Sequence, residues 1–201
     1  SVLAGCGGGT VTVTVPPKID LAPFPTIAVV EFAAQPAGDL GADATQRLMA
    51  ELTAAQPGVR LLELGSREKV LREVGRADLD FQAIKAIGQK FGTAAVLYGT
   101  VELSEPRPDL SVSPNLTSLS AQSKIDGRMS AKLWETATGA TVWTNTSWGS
   151  WRVGGVSLGE NGLSGASYKN PQEQRPKVLK ELVKSLAGDF WPTLEQRRVD
   201  K

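Results

Sequence analysis

The sequence predicts an α/β fold: a mixed-sheet α/β sandwich with helices packed on the sheet, and a C-terminal antiparallel hairpin followed by a helix. Three observations predict it. Residues 26–32, Thr-Ile-Ala-Val-Val-Glu-Phe, are almost continuously apolar, as in a strand covered on both faces. Residues 43–56 and 81–91 carry apolar side chains three and four apart, the spacing of a helix with one buried face. Residues 124–135 alternate apolar and polar with period two, and a glycine-containing turn then sends the chain back as a second strand.

The elements follow in order. Residues 26–32 are the first strand. In the first helix Leu40, Ala44, Leu48 and Leu52 recur every four residues, and Pro57-Gly58 stops it. Residues 59–64 form a second strand. Ser66 is a suitable N-cap for a short helix over 67–74, because its hydroxyl can accept from a free amide of the first turn. Asp78 or Asp80 caps the next helix, which buries Phe81, Ile84, Ile87 and Phe91 and ends at Gly92. Residues 93–103 form a third strand, parallel to the first two through right-handed crossovers. In the hairpin, Ile125, Met129, Ala131 and Leu133 share one face, and 140–148 is the returning strand. Asn170-Pro171 opens the last helix as cap and first-turn proline, although Pro176 would suit a start near Arg175. Its buried stripe is Val178, Leu179, Leu182, Val183, Leu186 and Phe190.

Two segments read as surface loops. Residues 104–123 hold Pro106, Pro108 and Pro114 among serines, and 149–170 is rich in glycine. Residues 6–25 read as a linker. Three glycines lead into Thr10-Val11-Thr12-Val13-Thr14-Val15, and four prolines follow. The expectation is an extended spacer, with an edge strand that pairs with the domain or a partner as the alternative. The single domain then spans 26–194, and 195–201 is a charged tail.

The 201 residues suit one domain, and the net charge of +1 comes from interleaved acids and bases. Arg67, Lys69, Arg72 and Arg76 alternate with Glu68, Glu73 and Asp78, the pattern of a solvated helix rather than a nucleic-acid patch. No run reaches the roughly twenty apolar residues of a membrane helix. The chain has one cysteine and no histidine. Gly155-Val156-Ser157-Leu158-Gly159 matches a nucleophile elbow in letters, but without histidine Ser157 lacks the usual base. The expectation is no enzyme, no cofactor and no metal site, with Asp78 and Asp80 as helix caps.

Cys6 is the residue with the clearest chemistry. Leu3-Ala4-Gly5-Cys6 matches a bacterial lipobox, in which small residues precede a cysteine that takes a lipid before the signal is removed. On this reading 1–5 are the end of a signal peptide, and acyl chains on Cys6 hold the protein at a membrane. Gly7 in place of aspartate favours the periplasmic face of the outer membrane. Trp148, Trp151 and Arg152 are candidate partner-binding residues, since tryptophan and arginine anchor interfaces. The alternative is that the two tryptophans cap the sheet against the last helix. Trp134 and Trp143 flank the Thr-Gly turn, where a cross-strand packing role is expected.

Three motifs carry a family resemblance. They are Ile27-Ala28-Val29-Val30-Glu31-Phe32; the run from Ile87-Gly88-Gln89-Lys90-Phe91-Gly92 into Gly99-Thr100-Val101; and Ala131-Lys132-Leu133-Trp134-Glu135-Thr136-Ala137-Thr138-Gly139 with Val142-Trp143. In this order, behind a lipobox, they resemble a group of bacterial envelope proteins. That group includes the curli channel lipoprotein CsgG, the activator LpoB and the N-terminal domain of TolB. The resemblance implies a non-catalytic binding or assembly module in envelope or surface-structure biogenesis. Its partner would be another envelope protein or further copies of the chain. The rival reading is a subunit of a CsgG-like oligomeric secretion channel. There 104–123 and 149–170 would be the membrane-spanning segments, yet neither shows the nine to eleven alternating residues of a barrel strand. A hydrolase using Ser157 is the third.

Overall fold

The computed structural model describes residues 9–112, 119–159, 162–167 and 171–199. The elements are β1 (Gly9–Val15), β2 (Thr26–Val30), β3 (Ala33–Gln35), α1 (Leu40–Ala55), β4 (Arg60–Gly65), α2 (Arg67–Val74), α3 (Phe81–Phe91), β5 (Ala95–Leu103), β6 (Arg107–Val112), β7 (Leu119–Glu135), β8 (Thr141–Gly159), β9 (Gly162–Ser167), α4 (Pro171–Ala187), a 3₁₀ turn (Gly188–Phe190) and β10 (Thr193–Val199). The expected mixed sheet with helices on it is present.

The main sheet runs β4-β2-β5-β7-β8-β9, with β3 against β5 and β6 against β7. β2 is parallel to both β4 and β5, as expected of strands joined through helices. β5, β7, β8 and β9 are antiparallel in turn. The helices start where the sequence asks them to. Ser66 Oγ accepts from Lys69 N at 3.4 Å, and Asp80 Oδ1 accepts from Ala83 N at 2.8 Å. α4 begins at Pro171 and carries Pro176 inside it.

Two apolar cores lie on opposite faces of the sheet. On one face α1 and α4 bury Leu48, Leu52, Leu179, Leu182 and Leu186 against Ile27, Leu97, Ile125, Met129 and Leu133. On the other, α2 and α3 bury Val70, Ile84 and Ile87 against Ala28, Val30 and Val96. That second layer is small. It extends over β4, β2, the start of β5 and, on β7, Trp134.

Three expectations are corrected. The segments 104–123 and 149–170, read as surface loops, contain β6, the start of β7, the end of β8 and β9. β7 and β8 are 17 and 19 residues long, well beyond the predicted hairpin. Pro106 precedes β6, and Pro108 fits within it because among the described residues β6 pairs with β7 alone, and proline is tolerated on such an edge strand. Residues 113–118, 160–161 and 168–170 lie outside the described residues. Second, 16–25 is not a free spacer. Leu21 is 1% exposed, its N donates to Gln56 Oε1 at 2.7 Å, and Ile19 N donates to Asp189 O at 3.1 Å. The Thr/Val repeat before it is a strand, the alternative reading. Third, the expected charged tail forms β10, which pairs antiparallel with β1 as a separate ribbon, Gly9 opposite Val199 and Val15 opposite Thr193.

Candidate functional site: an uncovered face of the sheet

Burial alternates along β7 and β8. Ile125, Met129, Ala131, Leu133, Trp143 and Ser147 are buried beneath α4, while Arg128, Thr144, Thr146, Trp148 and Ser150 on the alternate positions are exposed. β5 continues this outer face with the exposed Thr100 and Glu102. Among the described residues no helix lies over this part of the sheet, because α2 and α3 stop at β5 and Trp134. The result is an open, mostly polar face with one large apolar group on it. Trp148 is 80% exposed and stands opposite Arg128, which in turn pairs with Glu102 on β5. Ser130 Oγ and Thr146 Oγ1, one rung away, are 2.9 Å apart across the strands.

The candidate pair of tryptophans therefore divides. A spacing of three along a strand puts two side chains on opposite faces. Trp151 is partly buried and packs on the core beneath α4, opposite Ile125. It lies over Gly127 and Gly149, where an added Cβ would stand 3.1 and 2.7 Å from its ring. Those glycines are the room the indole needs. Trp151 thus takes the packing role, while Trp148 stays exposed on the outer face. Arg152 is exposed and shares the outer face with Trp148. Trp134 and Trp143, expected as cross-strand neighbours, are not. Trp143 sits opposite Leu133 in the first core, and Trp134 lies against the second.

Trp143 belongs to a polar junction that holds the chain's early and late segments to the sheet. Its Nε1 donates to Asp189 Oδ2 at 3.1 Å, and its ring meets Phe190 edge to face at 4.7 Å. Asn145 Nδ2 donates to the same oxygen at 3.0 Å, and Lys18 Nζ donates to Oδ1 at 2.8 Å. The bond from Lys18, followed by that from Trp143, holds the Asp189 carboxyl below its ordinary pKa. Neither Asp189 nor Gln56 was singled out in the sequence. Their roles depend on residues 35 to 171 positions away, which no local signal encodes.

The remaining candidates are placed plainly. Cys6 lies outside the described residues. Ser157 lies within β8 rather than at a strand-to-helix turn, so the backbone feature that makes a nucleophile elbow is not there. Asp80 is the α3 cap, and Asp78 pairs with Arg67 at 3.6 Å. No cluster of acids, histidine or cysteine able to hold a metal occurs among the described residues. No helix among them is long and apolar enough to cross a membrane.

Beyond the open face, β6, β7, β8 and β9 form a four-stranded antiparallel extension of the sheet. Its register aligns like with like. Leu110, Ala121 and Val156 fall on one row, and Val112, Leu119, Leu158 and Leu163 on another; between them Ser111, Ser120, Ser157 and Ser164 align.

No family model and no curated protein matches the chain. Solved structures similar to it include bacterial lipoproteins. The chain is similar to the PelC dodecamer from Paraburkholderia phytofirmans at 17% identity and a TM-score of 0.45, over 90% of this chain and 98% of that one. It is similar to lipoprotein GNA1162 from Neisseria meningitidis at 19% identity and 0.40, over 81% and 97%. It is similar to the LpoB C-terminal domain from Salmonella enterica at 15% and 0.36, over 62% and 81%. Likenesses of this degree assign no function to this chain.

Proposed function

We propose that this is a lipoprotein of the bacterial envelope, held through acylated Cys6 at the periplasmic face of the outer membrane. There it acts without catalysis by binding another envelope protein or further copies of itself. The observation that carries the binding role is the sheet face left bare beyond α2 and α3, with Trp148 80% exposed on it beside Arg128. A half-covered antiparallel sheet is ordinarily polar on its wet face. An indole 80% exposed there adds little to the buried core, which suits a residue that anchors a partner. The lipobox supplies the tether.

The test is made on membranes. Cys6→Ser is expected to move the protein to the soluble fraction with its fold unchanged. Trp148→Ala is expected to leave it on the membrane while removing partners captured by in-cell crosslinking. An unacylated Cys6 would end the tether, and an unaltered crosslinking pattern in Trp148→Ala would end the face as the docking site.

A second reading is favoured by one observation, the aligned apolar and polar rows of β6 to β9. These three rows alternate as a face to lipid and a face to water require, over a shorter stretch than the roughly nine to eleven residues of a barrel strand. On this reading copies of the chain contribute their extensions to a CsgG-like channel. Ion conductance of the purified protein in planar bilayers, lost when 107–123 is deleted, would establish it; absence of conductance would exclude it.

A further inference from the structure

The molecule carries a second unfilled feature, at its other end. Where β2 and β4 begin, the segment 16–25 and the end of α1 wall a cleft of about 620 Å³. Its lining is apolar and rich in proline, with Pro16, Pro25, Pro57 and Val59 around the buried Leu21 and Phe24. Among the described residues lining it, Asp20 is the one that is charged. Trp148 cannot reach this cleft within one chain. It sits on the rung of Glu102, near the end of β5 and on the bare outer face, whereas the cleft opens at the starting end of the parallel strands.

We infer that these two features are the halves of one contact, and that the Trp148 indole of one copy seats in the proline-walled cleft of the next. The inference rests on the reading of Trp148 as a docking residue and names its partner as a second copy of this chain. Three points support that occupant. The cleft has room for an indole with side chain to spare, and flat proline rings are apposite walls for a flat aromatic group. The charges match at one point, since the exposed Arg152 shares the donor face and Asp20 lines the receptor, whereas Arg128 already stands beside Glu102. Finally, the two surfaces are different patches at different ends, so the contact is heterologous. Such a contact repeats head to tail, closing into a ring or running on as a filament.

The experiment uses the full acylated chain in detergent and reads its mass by sedimentation. Two variants each disable one half. Trp148→Ala removes the donor. Ala22→Arg puts a charge in the cleft at an exposed wall position, so the core is untouched. Wild type is expected to form species larger than one chain. Each variant alone is expected to weaken association by about thirtyfold or more, the effect of losing a buried anchor. An equal mixture of the two variants retains one intact donor and one intact cleft, and is expected to yield a two-chain species and nothing larger. Circular dichroism of each variant checks that the fold is kept. A monomeric wild type overturns the inference, and so does an Ala22→Arg form that assembles normally. If wild type is monomeric yet still captures a different protein through Trp148, the self-contact is lost while the binding role proposed above stands.

Discussion

Gly88 is the point at which α3 meets the Thr-Gly turn. A Cβ there would stand 2.4 Å from the Thr136 Cβ, closer than two such atoms can approach. Thr136 has no freedom to retreat, because its hydroxyl donates to the carbonyls of Thr93 and Ala94 at 2.7 and 3.0 Å. Gly88→Ala is therefore expected to lower stability by about 1–3 kcal/mol in urea unfolding, as overpacking does. Asp189 predicts a pH dependence. Its folded pKa is depressed by Lys18 and Trp143, so its contribution is present above the unfolded value and is lost as pH falls through the folded one. Asp189→Asn is expected to flatten the acid limb of the stability curve in that window; an unchanged limb would show that other carboxylates carry it.

At the scale of the element, β8 shows how one strand serves two purposes. Trp151 fills the core side, over two glycines that leave space for its ring, and Trp148 stands on the water side. Truncating them separates the roles. Trp151→Ala is expected to cost about 2–4 kcal/mol, somewhat below the range for a fully buried tryptophan. Trp148→Ala is expected to stay within about 0.5 kcal/mol of wild type, since exposed positions contribute little to folding. Equal costs in thermal unfolding would mean that Trp148 is structural. This division was legible in the spacing of three, once the segment is known to be a strand. Gly149, Gly154 and Gly155 hid that, because glycine weakens the local strand signal while long-range pairing with β7 overrides it.

Over the whole molecule, the two ends of the described chain converge. β1 and β10 pair with each other, Lys18 reaches Asp189, and Gln56 Nε2 binds the carbonyls of Ile19 and Phe190 at 2.6 and 3.1 Å. Residues 19–25 thus belong to the domain rather than to a linker. Leu21→Ala is expected to destabilise the entire body by about 2–5 kcal/mol, as for any buried leucine, where a true spacer residue would cost nothing measurable.

What the sequence determined by itself is whatever local chemistry settles. Ser66 and Asp80 cap their helices through hydroxyl or carboxylate, α1, α3 and α4 follow apolar periodicity, and the strands of the predicted hairpin follow strict alternation. The order of these elements was enough for a mixed α/β sheet, because amphipathic helices and strands can hide their apolar faces only against each other. The match of Leu3-Ala4-Gly5-Cys6 to a lipobox is likewise local, and the acylation it proposes is what the Cys6→Ser experiment tests. Tertiary structure alone decided the rest: that proline- and glycine-rich stretches become β6, the end of β8 and β9, that the prolines of 16–25 wall a cleft, and that Trp148 and Trp151 face opposite ways. In each case the deciding partner is distant along the chain. Pairing and burial depend on which residues meet in space, and residue types with weak local preference take the conformation that their neighbours impose.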